Sequence, residues 1–501
     1  MSRPDITLRE LLQDRADTGT AGGIVVHGLA LDSRRVRPGD AFVALGGTQM
    51  HGLAFVPAAI ERGAVAVLAE APGQRQDAES VVPAGAAAVP TVWVANLRSE
   101  LGAIASRCFG EPSRALDVIG VTGTNGKTST VQMLAQALHR LGRSSATIGT
   151  LGAGLHGAIR EGERTTPDAI AVHGLLAQFR DEGATHVAME VSSHALVQGR
   201  VNAVAFDIAV FTNLTRDHLD YHGTMEAYGA AKQRLFAWPD LSAAVLNVDD
   251  AFGRALATTV GAGVRLLRYG IDRDDADVVA RGVETRAEGL AFRLVTPWGE
   301  GEVATRLLGR FNVSNLLAVA ACLGQLGFAF DEIRSALAAL DPVAGRMNRL
   351  GGSDAQPLVV IDYAHTPDAL EQALASLRAH CAGRLICVFG CGGERDAGKR
   401  PQMGAIAEAL ADRIVITDDN PRGEDGDAIV AQIAAGLAHP QDATVERDRA
   451  GAISLAIATA KPGDIVLIAG KGHEPYQEVA GRKQPFDDLA VARRVLEMRP
   501  C

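Results

Sequence analysis

The chain has 501 residues, enough for about three domains at roughly 150 residues each. Its 47% hydrophobic and 22% charged residues are an ordinary globular balance, which excludes a disordered or fibrous chain. Lys plus Arg number 49 against 59 Asp plus Glu, and a net charge of −10 disfavours a protein that tracks nucleic-acid phosphates.

The opening MSRPDITLRELLQ has no apolar core of a secretory leader. A cytoplasmic protein with reduced thiols is therefore expected. The six cysteines are too few for a disulfide framework. Cys387 and Cys391 form the one close pair, and without a partner pair they make a weak zinc site.

Three blocks follow in order. Residues 1–97 mix short β-type runs (IVVHGLAL, AFVALGG, AVAVLAE, TVWVAN) with a helix near Val56–Arg62, and AGAAAVP at 84–90 reads as a loop. Residues 98–345 alternate apolar strands with amphipathic helices, the pattern of a mostly parallel α/β sheet. Within them Phe311–Phe330 reads as one buried helix, since Asn312, Ser314, Asn315 and Gln325 interrupt it too often for a membrane span. Residues 346–501 repeat the alternation. There PLVVIDY, RLICVFG, RIVITDD and DIVLIAG read as buried parallel strands. Each runs into a polar loop: AHTPD, CGGERDAGKR, NPRGED and KGHEPYQ. Ligands bind at the carboxyl ends of such strands, so four loops at one sheet edge predict a composite site.

The segment from Asp117 to Thr130, DVIGVTGTNGKTST, is the strongest signal in the chain. A short strand enters a glycine-rich turn, and Gly-Lys-Thr opens a helix with Val131, Leu134, Leu138 and Leu141 on one face. Gly123 and Gly126 let the backbone curl its N–H groups toward phosphate oxygens, and the helix N-terminus adds favourable dipole charge. Lys127 can reach the β- and γ-phosphates, and the Thr128 hydroxyl can ligate Mg²⁺. The strict phosphate-loop pattern wants glycine at position 121, where this chain has Val, so the spacing is a variant. ATP binding is the expectation.

The loop GTNGKTST resembles that of the Mur ligase family, the ATP-dependent amino-acid-adding enzymes of peptidoglycan synthesis. The resemblance spans nearly the whole chain through LDSRRVRPGDAFVAL, EVSSHAL, NLTRDHLDYHG, GRFNVSN, DYAHTPD, FGCGGERDAGKRPQM, DDNPR and GKGHE, in the family's order. It implies an α/β fold of three domains. Residues 1–97 would bind a UDP-sugar and 98–345 ATP, while a Rossmann-like domain at 346–501 would bind the incoming amino acid. It also implies a monomer working in cell-wall biogenesis, with small-molecule substrates and neither nucleic acid nor membrane as partner.

The same resemblance assigns residues. Gly123, Thr124, Asn125, Gly126, Lys127, Thr128 and Ser129 would hold ATP, with Asn315 and Arg346 contacting the nucleotide and Asp362 closing on it. Glu190 and His218 would ligate Mg²⁺, with Thr128 on the nucleotide-bound ion, and two ions are expected. In the family the lysine matching Lys232 is carbamylated, which would supply a further carboxylate ligand. Lys127, Lys232, Glu190 and His218 would form the catalytic group. From composition alone Lys232 reads instead as a helix lysine extending its head to water. His218 alone would read as a hydrogen-bonded core residue, and Asn312 or Ser314 as a helix cap.

Leu31, Ser33, Thr48, Gln49 and Met50 fall to the uridine end of UDP-N-acetylmuramoyl-L-alanyl-D-glutamate. Thr165, Thr166, Ser192, Gln198 and Arg200 fall to its muramoyl-dipeptide, although Arg200 could be a plain surface charge. Arg395, Asp419, Asn420, Pro421, Arg422, Gly470 and Glu474 would hold meso-2,6-diaminopimelate. That acceptor carries a second carboxylate beside its distal amine, which arginine's planar fork can grip bidentately. Lysine-adding relatives lack the DNPR arginine. The bland alternative for Arg422 is a solvated charge paired with Glu424 or Asp425.

Other readings compete. In Gly390-Cys-Gly-Gly the third glycine of a dinucleotide fingerprint would fall on Arg395, so that motif fails. Cys391 has no neighbouring His to activate it as a nucleophile. A lysine-adding or folylpolyglutamate-type ligase is the enzymatic rival, and a nucleotide-gated switch without chemistry is the rival of another class. Since the phosphate loop and the arginine loops come from separate blocks, turnover should require closure that also excludes water.

Overall fold

The structure, a computed structural model, describes residues 5–47, 50–71, 89–162, 164–286, 288–353 and 355–498. Thr48, Gln49 and most of the 84–90 segment lie outside the described residues. The chain is α/β throughout, with largely parallel sheets, and divides into two compact units, 1–268 and 269–501.

Besides a two-stranded pair of Ile6–Thr7 with Val25–Val26, the first unit carries two larger sheets. One is four-stranded and parallel, in the order Gly28–Ala30, Asp40–Ala44, Ala66–Glu70 and Thr91–Val94. These are the apolar runs of the N-terminal block, and the helix Leu97–Cys108 packs Leu97, Leu101 and Ile104 beneath them. In the other sheet the strands run Ala243–Asn247, Ile208–Phe211, Asp117–Thr122, His186–Glu190, Ser145–Gly149 and Gly152–Leu155. Only the last of these pairs antiparallel. Register pairs Glu190 with Val121 and Phe211 with Thr122, so the loops after three parallel strands leave at one edge.

The chain enters the second unit within the strand Arg265–Ile271. An antiparallel ribbon follows, Val278–Arg286, Gly289–Thr296 and Gly299–Thr305. The apolar stretch read as one helix is two, Phe311–Gln325 and Phe330–Ala338. Gly327, at φ +88°, breaks it in the left-handed region that a helix cannot continue through. Among the described residues no helix is long and apolar enough to cross a membrane.

The final sheet has the order Asn348–Ser353, Gln356–Asp362, Ile465–Ala469, Leu385–Phe389, Arg413–Ile416 and Thr444–Val445. All neighbours pair parallel except the first two. Its strands bury both faces. Leu358, Val360, Leu385, Cys387 and Leu467 enter one core, and Val359, Ile361, Ile386, Val388 and Val466 enter the other. Alternate residues thus point to opposite apolar layers, which is why these strands read as continuous hydrophobic runs. Register pairs Asp362 with Ala469 and Phe389 with Ile416, so the four polar loops do emerge at one edge.

Candidate active site

In the first unit the strand Asp117–Thr122 delivers the chain to Gly123 at φ +149°, and Gly126 at φ +85° precedes the helix Lys127–Arg140. A Cβ on Gly123 would collide with Thr212 Oγ1, so the loop can follow this path only with glycine there. The segment after strand Ile208–Phe211 braces the turn. Asn213 O accepts from Thr124 N at 2.8 Å, and Asn213 Oδ1 accepts from Asn125 N at 2.9 Å. Thr212 Oγ1 donates to Asn125 O at 2.6 Å. No side chain caps the helix N-terminus, whose first N–H groups carry the positive end of its dipole. Thr128 and Ser129 are buried in its first turn.

Two ammonium groups meet at this turn. Lys127 Nζ donates to Gly123 O at 2.9 Å and to Thr124 O at 2.7 Å. Lys232, on helix Met225–Gln233, donates to the same Gly123 O at 2.7 Å. It is 1% exposed and lies 4.2 Å from the centre of the Tyr228 ring, so it does not reach out to water as composition alone would have it. Burial pushes its pKa well below the ordinary lysine value. Lys127 adds to the fall and Asp217 opposes it. Burial and Lys127 both favour the neutral amine over the ammonium at this position.

Glu190 ends its strand with 1% exposure, and its Oε1 accepts from Thr150 N at 2.7 Å. Its Oε2 accepts from Thr150 Oγ1 at 3.2 Å. His218 is not a core residue. Its side chain is 46% exposed, it takes φ +53° at the start of helix Leu219–His222, and its Nε2 lies 3.4 Å from Asp217 Oδ2. Burial lowers its pKa, Lys127 and Lys232 lower it further, and Asp217 opposes them. His194 and Tyr228 meet its ring edge-on, and Tyr221 and His222 make tilted contacts with those two rings in turn. Among the described residues no three His, Cys, Asp or Glu side chains already form a metal-binding group. A carboxylate and the Thr128 hydroxyl are hard oxygen donors that suit Mg²⁺, with the imidazole as a borderline companion, once a further carboxylate is supplied.

The residues expected at the peptide end are knitted together. Thr166 Oγ1 donates to Glu190 O at 2.8 Å, and Ser192 N donates to Thr166 Oγ1 at 3.2 Å. Thr165 Oγ1 lies 3.1 Å from Thr150 Oγ1. Arg200 is anchored rather than loose, giving Nη1 to Thr166 O at 2.8 Å and Nε to Gln198 Oε1 at 2.9 Å. Ser33 is buried in the short helix Ser33–Arg35, which Asp32 caps, and Met50 is exposed. A cleft of about 880 Å³, lined by Leu31, Asp32, Arg34, Gly149, Arg164 and Asp168 among others, adjoins these residues.

In the second unit Asp362 lies at a strand end, where its Oδ2 accepts from Met347 N at 2.8 Å and its Oδ1 from Ala364 N at 2.9 Å. Burial raises its pKa against the pull of Arg346. Arg346 stacks 4.6 Å above the centre of the Tyr363 ring. Asn312 does not cap its helix. Its Nδ2 donates to Leu308 O at 2.8 Å, and its Oδ1 accepts from Asn315 Nδ2 at 2.9 Å, so an asparagine pair lies buried in the first turn.

The DNPR loop is held from three sides. Asp419, Asn420 and Pro421 are buried, and Arg422 takes φ +54°. Arg422 N donates to Glu478 O at 3.0 Å, and Ala480 N donates to Arg422 O at 2.7 Å. The hairpin Tyr476–Val479 and Arg482–Pro485 thus grips its backbone. The guanidinium donates from Nη1 to Gly393 O at 2.6 Å, with Glu478 Oε2 3.7 Å from Nε. The pairing with Glu424 or Asp425 that sequence left open is not made. Glu424 pairs with the buried Arg400 at 2.9 Å, and Asp425 caps helix Gly426–Ala434. Arg395 is exposed. Cys391 is buried, and burial pushes its thiol up to about 11, which agrees with its rejection as a nucleophile.

Sequence reasoning missed Lys471, whose side chain is wholly buried. Its Nζ donates to Asn420 Oδ1 at 3.0 Å and lies 3.4 Å from Glu474 Oε2 and 4.0 Å from Asp419 Oδ1. A lysine flanked by two glycines was the available signal. Gly470, at φ +116°, has no room for a Cβ, which would come 2.5 Å from Asp419 Oδ2. Arg449 and Asp488 form a second fully buried pair beneath the site at 2.7 Å.

Comparison with known proteins adds to this geometry. Residues 25–108 match the Mur ligase family, catalytic domain; 121–323 match the Mur ligase middle domain; and 345–472 match the Mur ligase, glutamate ligase domain. The chain is 57% identical over 497 residues to the UDP-N-acetylmuramoyl-L-alanyl-D-glutamate–2,6-diaminopimelate ligase of Xylella fastidiosa (strain 9a5c), covering 99% of this chain and 98% of the relative. It is 57% identical over 507 residues to the protein of that name from Xanthomonas oryzae pv. oryzae (strain MAFF 311018), covering both chains fully. A solved structure of a ligase of the same name superposes with a TM-score of 0.73 at 36% identity, over 99% of each chain.

Proposed function

The chain belongs to the Mur ligase family, and from that premise we propose that it joins meso-2,6-diaminopimelate to the D-glutamate of UDP-N-acetylmuramoyl-L-alanyl-D-glutamate, with ATP spent to ADP and phosphate. The observation that carries the acceptor assignment is the DNPR loop. Its arginine is clamped by the Glu478 backbone and by Gly393 O, as a fork meant for one carboxylate must be.

Making the amide requires an activated carboxylate. Its oxygen attacks the γ-phosphorus of ATP, the bond to the bridging oxygen breaks, and ADP leaves with the electron pair. The turn at Gly123–Ser129 orients the triphosphate, with helix N–H groups and Lys127 offsetting charge that builds on the transferring oxygens. Glu190, His218 and the Thr128 hydroxyl would hold Mg²⁺, which when bound neutralises charge between carboxylate and triphosphate. Lys232 completes that donor set as a carbamate. Its neutral Nζ adds to CO₂, forming the N–C bond and a carboxylate while one proton leaves the nitrogen. The biased, buried amine beside Gly123 supports this reading.

The acceptor amine then attacks the acyl carbon, and the tetrahedral adduct expels phosphate. Arg422 and Arg395 would receive the distal carboxylate, while Gly470 and Glu474, with Asn420 beside them, would take the other end, Glu474 facing an ammonium. Thr165, Thr166, Ser192, Gln198 and Arg200 would hold the muramoyl-dipeptide. Leu31, Ser33 and the 48–50 stretch would hold the uridine, and Asn315, Arg346 and Asp362 would contact the nucleotide. The domain roles follow, with 1–97 for the UDP-sugar, 98–345 for ATP and 346–501 for the amino acid. A monomeric cytoplasmic enzyme with two Mg²⁺ ions is the corresponding expectation. The test is an acceptor panel of meso-diaminopimelate, lysine and other diamino acids, with ADP release as the readout. Release only when meso-diaminopimelate and the nucleotide peptide are both present supports the proposal. Release with lysine alone, or with ATP alone, overturns it.

A further inference from the structure

Asn420 and Glu474 belong to different loops, one after strand Arg413–Ile416 and one after strand Ile465–Ala469, and each has several ways to turn its polar atoms. The structure leaves them almost no choice. Asn420 Oδ1 accepts from Lys471 Nζ at 3.0 Å and from Glu478 N at 2.9 Å, which fills the carbonyl and fixes the amide's orientation. Its Nδ2 donates one hydrogen to Glu474 Oε2 at 2.9 Å. Glu474 Oε2 is also 3.4 Å from Lys471 Nζ. One Asn420 N–H and Glu474 Oε1 are then the groups without a partner among the described residues, a donor for a carboxylate beside an acceptor for an ammonium. That is the complement of an amino acid's two ends.

We infer that Lys471 is the positioning residue of the acceptor pocket: its buried ammonium, set among Asn420, Glu474 and Asp419, orients the amide and the carboxylate that receive the amino-acid end of the incoming substrate. This rests on the assignment of Asn420 and Glu474 to the acceptor and goes one layer deeper. An ammonium has three hydrogens, and here three oxygen-bearing side chains surround it at 3.0, 3.4 and 4.0 Å, with the Tyr476 ring 5.6 Å away. Because the side chain is wholly buried, Lys471 itself has no route to the substrate. Its charge still matters, because without it Asp419 and Glu474 would face each other as two acids. The other charged groups acting on Asp419 and Lys471 are Arg449 and Asp488, and Tyr363, His365 and His473 are the titratable groups that feel Glu474. Burial raises the Asp419 carboxyl pKa, while Arg449 and Lys471 hold it down, so removing the lysine lets it rise further.

The experiment uses the full-length enzyme with ATP and the nucleotide peptide saturating, and compares wild type with Lys471→Met and Lys471→Gln. Wild-type turnover with meso-diaminopimelate comes first. Its absence would refute the acceptor assignment itself and remove the basis of the inference. Given that turnover, Lys471→Met should raise KM for the acceptor about 30-fold or more while KM for ATP and for the nucleotide peptide stays within about threefold. The acid limb of kcat/KM for the acceptor should also move to higher pH, since the Asp419 carboxyl without this cation protonates sooner. Lys471→Gln keeps a donor to Asn420 Oδ1 without the charge. It should recover part of the KM and none of the limb shift, and it puts the same question should the Met variant fail to fold. An unmoved acid limb, or equal losses for all three substrates in both variants, would overturn the inference.

Discussion

The two lysine-bearing regions of this chain surround their basic side chains with opposite kinds of partner. At the Gly123–Ser129 turn, Lys127 and Lys232 converge on main-chain carbonyls, both donating to Gly123 O. In the acceptor loops, Lys471 is enclosed by Asp419, Asn420 and Glu474, and Arg449 by Asp488. Carbonyl dipoles leave the charge of Lys127 uncancelled, while burial next to that charge favours the neutral amine at Lys232. Carboxylates cancel a cation's charge, so the second region can receive a zwitterion without a large net field. The two clusters therefore differ in the charge they retain, and the partner atom decides it.

The comparison breaks most visibly at Lys232. Replacing it with Ala should lower turnover by several orders of magnitude, and added short carboxylates should partly restore it, as ADP release would show. Wild-type rates in that variant would remove the Lys232 carbamate from the proposed donor set. Arg422→Ala comes next. Truncating one side of a buried, hydrogen-bonded charge contact costs ~2–5 kcal/mol, so kcat/KM for meso-diaminopimelate should fall at least about 30-fold with little gain in lysine use. Unchanged selectivity in the acceptor panel would remove the arginine from recognition.

Stability separates the regions too. Arg449→Met leaves Asp488 buried without its cation and should destabilise by ~3–5 kcal/mol in denaturant unfolding. A smaller effect belongs to the first unit. His173 is fully buried, its Nε2 3.0 Å from Asn202 O, and burial pushes its pKa down to about 4. Unfolded, it would titrate near 6.5. The unfolded chain then binds the extra proton first as pH falls, so this group's contribution is complete above about 6.5 and is lost toward about 4. It amounts to ~3 kcal/mol across that window. A His173→Gln variant should lose that part of the acid dependence in unfolding measured from pH 7 to 4, and an unchanged slope would contradict it.

Much of this was legible in the chain itself. Continuous apolar runs ending in polar loops announced the parallel strands and their shared edge, because a strand buried on both faces has no polar side to show. The glycine spacing around Lys127 announced the turn despite Val121, because φ at Gly123 and Gly126 is a demand only glycine meets. Long-range pairing was not legible. Glu424 is two residues from Arg422 in sequence, yet it pairs with Arg400, because backbone hydrogen bonds to Glu478 and Gly393 O turn the arginine away. Lys232 lies in an Ala-rich helix whose sequence does not say which face meets Gly123 O. Lys471 gave no periodic signal at all, since its burial depends on loops from two distant strands.

The most direct test follows an oxygen atom. With the reacting D-glutamate carboxylate labelled with ¹⁸O, a carboxylate that attacks ATP before it meets the amine must hand one of its oxygens to phosphate. One ¹⁸O per phosphate released, dependent on meso-diaminopimelate, is the predicted result. Unlabelled phosphate accompanying full amide formation would contradict it.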